Sequence, residues 1–433
     1  MKTSYLNINH SRYIRVWEWG KLISITGGAQ IIVQAIGFVC GILIIRLLPP
    51  QEYAFYTLAY TMLGTMTVLA DGGIANSVMA HGGKVWKDRE KLGTVLVTGY
   101  DLRKKFAVGS LLLGIPILFY LLMHHEAGWL TAVLIIAAII LTFLTVLSGQ
   151  ILVIAPTLHQ AIWPLQKLEI GYSLGRLILI LLSLFIFPFA YLAVLAASIP
   201  QIWINLRLRL ITATYANWKQ NIDAVIKKNI LSVVKRILPG SIYYCLSGQI
   251  TIYLISVFGT TLAVAQIGAL GRLSMILTLL SSVFGTLVIP RFSRLKKNKR
   301  LLLKRFLQSL SALSFVCIFI IGVVWLLPEQ LLWILGDDYS HLQQELVLSI
   351  TGGCLGLIAG ILFTIATSRN WVLNPLISIP ITLTAIIIGI VVLDVSSLLG
   401  VLKFTLFVSS VDVIMYFSYC IIKIQQVQVI EKE

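Results

Sequence analysis

Charged side chains are scarce in this 433-residue sequence. Asp, Glu, Lys and Arg together make up 12% of it, whereas soluble domains carry about 25%. Among the charged residues, acids are the minority, with 17 Asp and Glu in the whole chain against 34 Lys and Arg. Hydrophobic residues account for 58%. This composition excludes an ordinary string of soluble domains and predicts an integral membrane protein.

Motifs of soluble enzymes and metal sites are also lacking. The sequence has no HExxH, GxSxG, P-loop or dinucleotide-binding glycine motif. Its five cysteines lie in apolar stretches without a CxxC pair, so we interpret them as small buried hydrophobic residues. The stretch His124-His125-Glu126 has no third ligand nearby in sequence and fits a solvated turn better than a metal site. We therefore expect no enzyme activity, no cofactor and no metal.

Long apolar runs make up most of the sequence. A helix needs about 20 apolar residues to cross the hydrocarbon core of a bilayer, whereas the strands of a membrane barrel alternate in polarity. The runs here do not alternate, so they predict an all-α membrane protein with about twelve spanning helices. The predicted spans are residues 22–45, 53–80, 106–123, 129–154, 169–187, 190–206, 237–258, 262–289, 306–327, 345–368, 372–393 and 398–422.

Positive charge falls on one side of these spans. If the N-terminus is cytoplasmic, nearly all of the 34 Lys and Arg residues lie in inner segments, while the outer turns carry acids such as Glu52 and Glu126. An excess of Lys and Arg is typical of cytoplasmic loops. The pattern predicts a multi-pass protein with both termini in the cytoplasm. It also assigns the net charge of +17 to topology rather than to nucleic-acid binding.

The longest inner connection divides the spans into six and six. We predict an N-terminal lobe at 1–206, a cytoplasmic linker at 207–236 and a C-terminal lobe at 237–433. A weak similarity in hydropathy between residues 49–64 and 259–274 fits two parallel six-helix halves, which is a common transporter plan. In this plan the two lobes enclose a central cavity.

Six charged residues fall within the predicted spans, where a charge is costly unless it faces protein or water. They are Asp71, Glu169, Arg176, Arg272, Lys403 and Asp412. Arg272 lies about 15 Å into span eight at a rise of about 1.5 Å per residue, too deep to reach either interface by snorkelling. We predict that it faces a cavity and attracts an anionic group, with a structural pair to Asp412 or Glu169 as the alternative.

The polar residues of the spans form two predicted groups. A substrate cavity would be lined by Arg272, Arg176, Gln30, Gln34, Gln249 and Lys403. Coupling or gating would involve Asp71, Asp412 and Glu169. Asp71 precedes Gly72-Gly73 near the inner end of span two. Its candidate roles are an ion pair or helix-end contact that holds the inner gate region together, or else proton or cation coupling or contact with cargo. The glutamines offer hydrogen bonds to sugar hydroxyls or to other helices.

Several stretches resemble a known family. A basic N-terminus leads into residues 27–79, which contain an outer LPPQEY turn and, at the end of span two, ADGGIANSV. VIPRFSRL at 288–295 closes span eight in a similar way. These features resemble the Wzx-type flippases that export polysaccharide repeat units, within the multidrug/oligosaccharidyl-lipid/polysaccharide (MOP) superfamily. Phe55 departs from the pattern, since the family often has Gly there.

The resemblance implies a cargo and a location. The cargo would be an oligosaccharide on undecaprenyl pyrophosphate, moved outward across the bacterial cytoplasmic (inner) membrane by alternating access, for a surface polysaccharide such as lipopolysaccharide O-antigen. Membrane lipids and a glycan polymerase would be its partners. Sugar hydroxyls and a pyrophosphate cannot cross hydrocarbon unaided, which agrees with this interpretation.

Two alternatives stay open. A cation-coupled drug or metabolite antiporter of the same superfamily would need an acid deep within a lobe. A membrane glycan polymerase or ligase would need a sizeable outer loop with catalytic groups, and the sequence has only short outer turns.

Overall fold

The computed structural model describes residues 28–295, 298–369, 371 and 373–426. The basic N-terminus with the start of the first predicted span, Lys296, Lys297 and the tail from residue 427 lie outside this range. Every regular element in the described part is a helix, and nine helices there are long and apolar enough to cross a membrane. The prediction of an all-α, multi-pass membrane protein is confirmed, whereas twelve spans stay a prediction.

The chain divides into two compact units, with the boundary after Gln249 and inside a helix. The helices up to this boundary are α1 (Gly28–Leu47), α2 (Pro50–Asp71), α3 (Ile74–Val85), α4 (Arg89–His124), α5 (Trp129–Leu152), α6 (Ile154–Leu158), α7 (Ile162–Leu184), α8 (Ala190–Tyr215) and the larger part of α9 (Ala224–Phe258).

The second unit begins with the end of α9. Its other helices are α10 (Thr261–Leu273), α11 (Met275–Leu287), α12 (Ile289–Ser293), α13 (Lys299–Leu326), α14 (Pro328–Leu335), α15 (Gln343–Ser368), α16 (Pro375–Val392) and α17 (Leu398–Gln425). A single 3-10 turn, Asp337–Tyr339, follows α14.

Predicted span 53–80 is two helices rather than one. Gly72 and Gly73 have φ of 48° and 90°, a left-handed backbone that glycine adopts without the steric cost other residues incur. Gly72 caps α2 by donating its N–H to the Val68 carbonyl at 2.9 Å. α3 then starts at Ile74, so the glycine pair ends one helix and precedes the next.

Predicted span 262–289 is interrupted twice, at Ser274 and at Val288. The Ser274 N–H reaches the Leu270 carbonyl only at 3.4 Å, and its hydroxyl contacts the same oxygen at 3.5 Å. Such back-bonding by serine bends helices. Pro290, two residues after Val288, lacks an N–H and so removes a helical hydrogen bond at the second interruption.

Two segments predicted as inner connections are largely helical. α4 starts at Arg89, well before the predicted start of span three, and α9 starts at Ala224 rather than near 237. Asp88 caps α4 by accepting from the Lys91 and Glu90 N–H groups, each at 3.1 Å. These bonds, that of the Lys91 N–H first, hold the pKa of the Asp88 carboxyl below its usual range.

The short stretch between α8 and α9 lies against α4. The Asn217 N–H donates to the Arg89 carbonyl at 2.9 Å, and the Asp223 N–H donates to Thr98 Oγ1 at 3.1 Å. Arg89 in turn donates from Nη2 to the Ala213 carbonyl near the end of α8, at 2.8 Å. These contacts attach the remainder of the predicted linker to the first unit. The division into lobes at 206 and 237 stays a prediction.

Gly93 permits the close approach of Asn217 to α4. A Cβ atom built on Gly93 would lie 1.9 Å from the Asn217 carbonyl oxygen, which belongs to the backbone and cannot rotate away. We predict that Gly93→Ala lowers stability by about 1–3 kcal/mol, as overpacking typically does. Gly109→Ala on the same helix is the matched control, because a Cβ there meets no atom within 4 Å. Thermal unfolding in detergent measures both, and equal melting temperatures would contradict the expected contact.

Candidate functional site

Asp71 and Arg103 form an ion pair inside the first unit. The Asp71 Oδ1 to Arg103 Nη2 distance is 2.9 Å, and the Arg103 side chain is 1% exposed. The Arg103 guanidinium also donates to the Leu147 carbonyl at 3.1 Å and to Gln150 Oε1, both on α5. One guanidinium therefore connects the end of α2, the middle of α4 and the end of α5.

Asp71 also satisfies the start of α3. Its carboxylate accepts from the Gly73 N–H at 3.3 Å and from the Ala75 N–H at 3.1 Å. The first N–H groups of a helix have no partner within the helix, so this carboxylate replaces the bonds lost at the glycine pair. The structure thus contains the ion pair and the helix-end contact. A coupling or gating role for Asp71 stays a prediction.

The burial of Arg103 is not evident from the sequence. Arg103 lies on α4 within the segment predicted as a basic connection, but its side chain is buried. Hydropathy gives no sign of this, because neighbouring Lys104 and Lys105 are exposed and equally basic. What would have indicated this burial is that α4 continues as a helix through residues 103–105, because a helix turns one of these three basic residues toward the protein interior.

A second arginine of the first unit has a different environment. Arg176 on α7 donates from Nη2 to the Tyr56 hydroxyl at 3.4 Å, and Tyr60 and Tyr172 lie beside the same guanidinium. Tyr56 is fully buried on α2, and Tyr60 is one turn further along, with ring centroids 4.5 Å apart. We call Arg176, Tyr56, Tyr60 and Tyr172 the arginine–tyrosine cluster.

The described residues provide no counter-charge for this cluster. Within the described residues, no carboxylate pairs with Arg176, and its Nε atom is buried without a hydrogen-bond partner there. A guanidinium cannot lose its proton in a protein, so Arg176 keeps its charge. The cluster thus holds a permanent cation beside neutral hydroxyls, and a cation of this kind attracts anions.

The other predicted cavity residues are spread over both units. Gln30 and Gln34 lie on α1, exposed and half-buried respectively, and the half-buried Gln249 is the last residue of the first unit. Arg272 is half-buried in the last turn of α10, next to the interruption at Ser274. Lys403 is exposed near the start of α17. Their grouping into one cavity stays a prediction.

Two predicted acids lack a cation partner among the described residues. Asp412 is half-buried on α17 and accepts from Thr382 Oγ1 of α16 at 2.9 Å. Glu169 is exposed on α7. Neither forms an ion pair in the described part, so the suggested pairing of Arg272 with one of them is not observed.

The motif residues behind the family resemblance lie at helix ends. Glu52 of LPPQEY is in the first turn of α2, and its Oε2 accepts from the Ala190 N–H, at the start of α8, at 2.7 Å. One carboxylate thus serves the positive ends of two helix dipoles. In VIPRFSRL, the Phe292 and Leu295 carbonyls accept from Arg369, at 3.0 Å and 3.2 Å.

Solved structures match almost the whole chain, although no family model and no curated protein sequence matches it. The lipid II flippase MurJ in an inward closed conformation superposes with a TM-score of 0.71 at 12% identity, covering 93% of this chain and 87% of that chain. An inward-facing multidrug resistance MATE family transporter of the MOP superfamily gives 0.64 at 13% identity, covering 92% and 96%.

A third similar structure comes from Pyrococcus furiosus. It is a MOP superfamily transporter described by a binding pocket of reverse polarity, with a TM-score of 0.57 at 15% identity and coverage of 94% and 95%. Identities this low show the fold alone. The protein therefore has the fold of the MOP transporters, as the sequence predicts, while membership of the Wzx type stays a prediction.

The Asp71–Arg103 pair generates a stability prediction. Asp71→Asn keeps a side chain able to cap α3 but leaves Arg103 buried without a counter-charge, a change that costs about 3–5 kcal/mol in other proteins. Asp101→Asn on α4 is the matched control, because its partner Lys105 is 58% exposed and such surface pairs contribute about 0–1 kcal/mol. Thermal melting in detergent should separate the two variants clearly. Similar losses would show that burial does not set the strength of the pair.

Proposed function

We propose that this protein is a flippase for oligosaccharides linked to undecaprenyl pyrophosphate. It would move them outward across the bacterial cytoplasmic membrane for surface polysaccharide synthesis, by alternating access between lobes at 1–206 and 237–433 joined by 207–236. The observation that carries the proposal is the arginine–tyrosine cluster, in which a permanent cation is held among neutral hydroxyls inside a membrane unit.

The chemistry of this cluster favours a phosphate-containing cargo. A planar guanidinium binds two oxygens of a phosphate at once, and phosphate groups keep their negative charge at neutral pH. The tyrosine hydroxyls beside the guanidinium are neutral, which suits a site that must release its cargo after each cycle. Aromatic rings and hydroxyls also suit the sugar next to a pyrophosphate, whose surface is part apolar and part hydroxylated.

The fold is shared by a flippase and by multidrug transporters, so the polarity of the interior must distinguish them. In the first unit, Asp71 is paired with Arg103, Asp101 is paired with Lys105, and Glu52 caps α8. Glu169 is exposed. The described part of this unit thus contains a half-buried cation without a counter-ion, Arg176, but no buried acid free to bind a cationic drug. This difference favours an anionic cargo.

Asp412 favours cation coupling in the second unit. It is half-buried and bonded to a neutral threonine, so its carboxylate is available to a proton or a metal cation. Cation coupling is compatible with a flippase, and it is also what a drug or metabolite antiporter requires. The antiporter is therefore the second candidate function, with Asp412 as its coupling residue. A glycan polymerase or ligase fits less well, because the fold is that of transporters; a polymerase is instead a candidate partner.

Arg176→Gln tests the proposed headgroup site. A hydrogen bond to a charged group contributes about 1.5–3 kcal/mol, so we expect translocation of an undecaprenyl-pyrophosphate-linked oligosaccharide in proteoliposomes to fall about 10- to 100-fold. Lys167→Gln is the matched control, because it removes one positive charge from an exposed position on the same helix. It should transport normally.

The same proteoliposomes can distinguish an antiporter from a flippase. An antiporter would extrude a cationic dye along an ion gradient and would lose this activity in Asp412→Asn. If that result is obtained and Arg176→Gln translocates the lipid normally, the antiporter is the better assignment and the flippase is wrong.

Arg272→Ala tests the predicted second cation. Because a cation near the midplane would attract the anionic cargo, we expect cells carrying this variant to lose surface polymer while the protein is made at normal levels. Immunoblotting of the membrane fraction and staining of the surface polysaccharide measure the two quantities. Polymer at wild-type levels would exclude a role for Arg272 in export.

A further inference from the structure

Two helices of the first unit bring lysine side chains together at the inner end of an apolar run. On α4, Lys104 and Lys105 come just before residues 106–123, the run predicted to cross the bilayer. On α9, Lys227 lies in the first turn of the helix and is half-buried. The Lys105 side chain interacts directly with that of Lys227. We call Lys104, Lys105 and Lys227 the lysine cluster.

Acidic side chains balance only part of this charge. Lys105 Nζ lies 2.8 Å from Asp101 Oδ2. The carboxylate of Asp223, four residues before Lys227, caps the start of α9. Within the described residues, no carboxylate forms an ion pair with Lys104 or Lys227. Neighbouring like charges repel one another, so an anion placed between these ammonium groups would stabilise the arrangement.

Aromatic rings flank the lysine cluster. Lys104 Nζ lies 4.5 Å from the centroid of the Tyr100 ring. Tyr100 in turn makes an edge-to-face contact with Trp218, with ring centroids 6.3 Å apart. Trp and Tyr are enriched where the bilayer meets water. The rings therefore indicate that the lysine cluster lies at the level of the lipid headgroups rather than out in the cytoplasm.

Beyond the lysine cluster, α4 presents an apolar surface toward the bilayer. Val108 and Leu112 are 58% and 71% exposed. They follow Lys104 by four and eight residues, and Lys105 by three and seven, a spacing that places side chains on one side of a helix. Leu112 lies about 10 Å along the helix from Lys105 at a rise of about 1.5 Å per residue. Cationic and apolar groups thus follow one another in the order in which a phospholipid carries its phosphate and its acyl chains.

We propose that the lysine cluster binds the phosphate of an anionic glycerophospholipid of the inner leaflet, with an acyl chain along Val108 and Leu112. Lysine binds phosphate as a point charge, and basic pockets between spanning helices on the cytoplasmic side bind anionic headgroups. A zwitterionic headgroup carries its own ammonium, which the lysines repel. The inference goes beyond the proposed function and does not depend on which cargo the protein carries. The bound lipid would join α4 to the start of α9.

Lipid binding to the purified protein in neutral detergent tests the site. Dioleoyl phosphatidylglycerol and dioleoyl phosphatidylcholine have the same tails and differ only in the headgroup. We expect phosphatidylglycerol to raise the melting temperature and to bind at least tenfold more tightly by native mass spectrometry. Inorganic phosphate and glycerophosphoglycerol at the same concentration should leave the melting temperature unchanged, because neither has an acyl chain to contact α4.

A matched pair of double variants locates the site. Lys105→Gln with Lys227→Gln removes two cations of the lysine cluster. Lys87→Gln with Lys91→Gln removes two exposed cations at the start of α4, where Lys91 also pairs with an acid but lies about 20 Å before the apolar run. We expect at least tenfold weaker phosphatidylglycerol binding in the first variant and no change in the second. Lys104→Gln with Lys227→Gln keeps the ion pair of α4 and replaces the first variant if that one does not fold.

The remaining outcomes would contradict the lipid site. Equal binding of the two lipids, an equal effect of inorganic phosphate, or equal losses in the two double variants would overturn the inference. Arg176→Gln should bind phosphatidylglycerol like the wild type. If it loses this binding, the lipid binds at the arginine–tyrosine cluster and the assignment to the lysine cluster is wrong.

Discussion

Polar groups within a bilayer have no water to bind, and the Arg103 guanidinium shows how the first unit meets this constraint. The glycine pair after α2 releases helical N–H and C=O groups, and the Asp71 carboxylate takes up the Gly73 and Ala75 N–H groups. Arg103 then neutralises that carboxylate and binds the end of α5. The interruption between α2 and α3 therefore depends on a charge pair, and the pair depends on α4 continuing as a helix through Arg103.

Arg103 is buried and Arg176 is half-buried, and their charges are balanced in different ways. Each has a buried Nε without a partner among the described residues, so the difference between them lies in the counter-charge. Arg103 has a carboxylate at 2.9 Å, whereas Arg176 has only phenols. A paired charge stabilises one arrangement of helices. A charge left among neutral hydroxyls is stabilised by a bound anion, so binding of the proposed anionic cargo there would stabilise this region.

Hydropathy predicted the fold class correctly because spanning a bilayer demands about 20 apolar residues per helix. It did not predict the interruptions at Gly72, Ser274 and Val288, since these depend on one or two residues within apolar runs. It also gave no sign that Arg103 is buried, because a run of basic residues has the same hydropathy in a loop as on a helix with one buried face. Tyr56 and Tyr60, and Tyr172 and Arg176, are each four residues apart. That spacing puts polar groups on one face of an apolar helix and could have identified the cluster.

The motifs that suggest a family and the residues that suggest a cargo are different residues. Glu52 and the Phe292 and Leu295 carbonyls satisfy helix ends, so any transporter with these helices benefits from them, whatever it carries. Such motifs can persist while cargo-binding residues diverge, which fits structural likeness at 12–15% identity to both a flippase and multidrug transporters. The choice of cargo must therefore be argued from the interior charge. In the described part of the first unit that charge is Arg176, which has no acid partner there, and it is the feature by which an anionic lipid headgroup would be distinguished from a cationic drug.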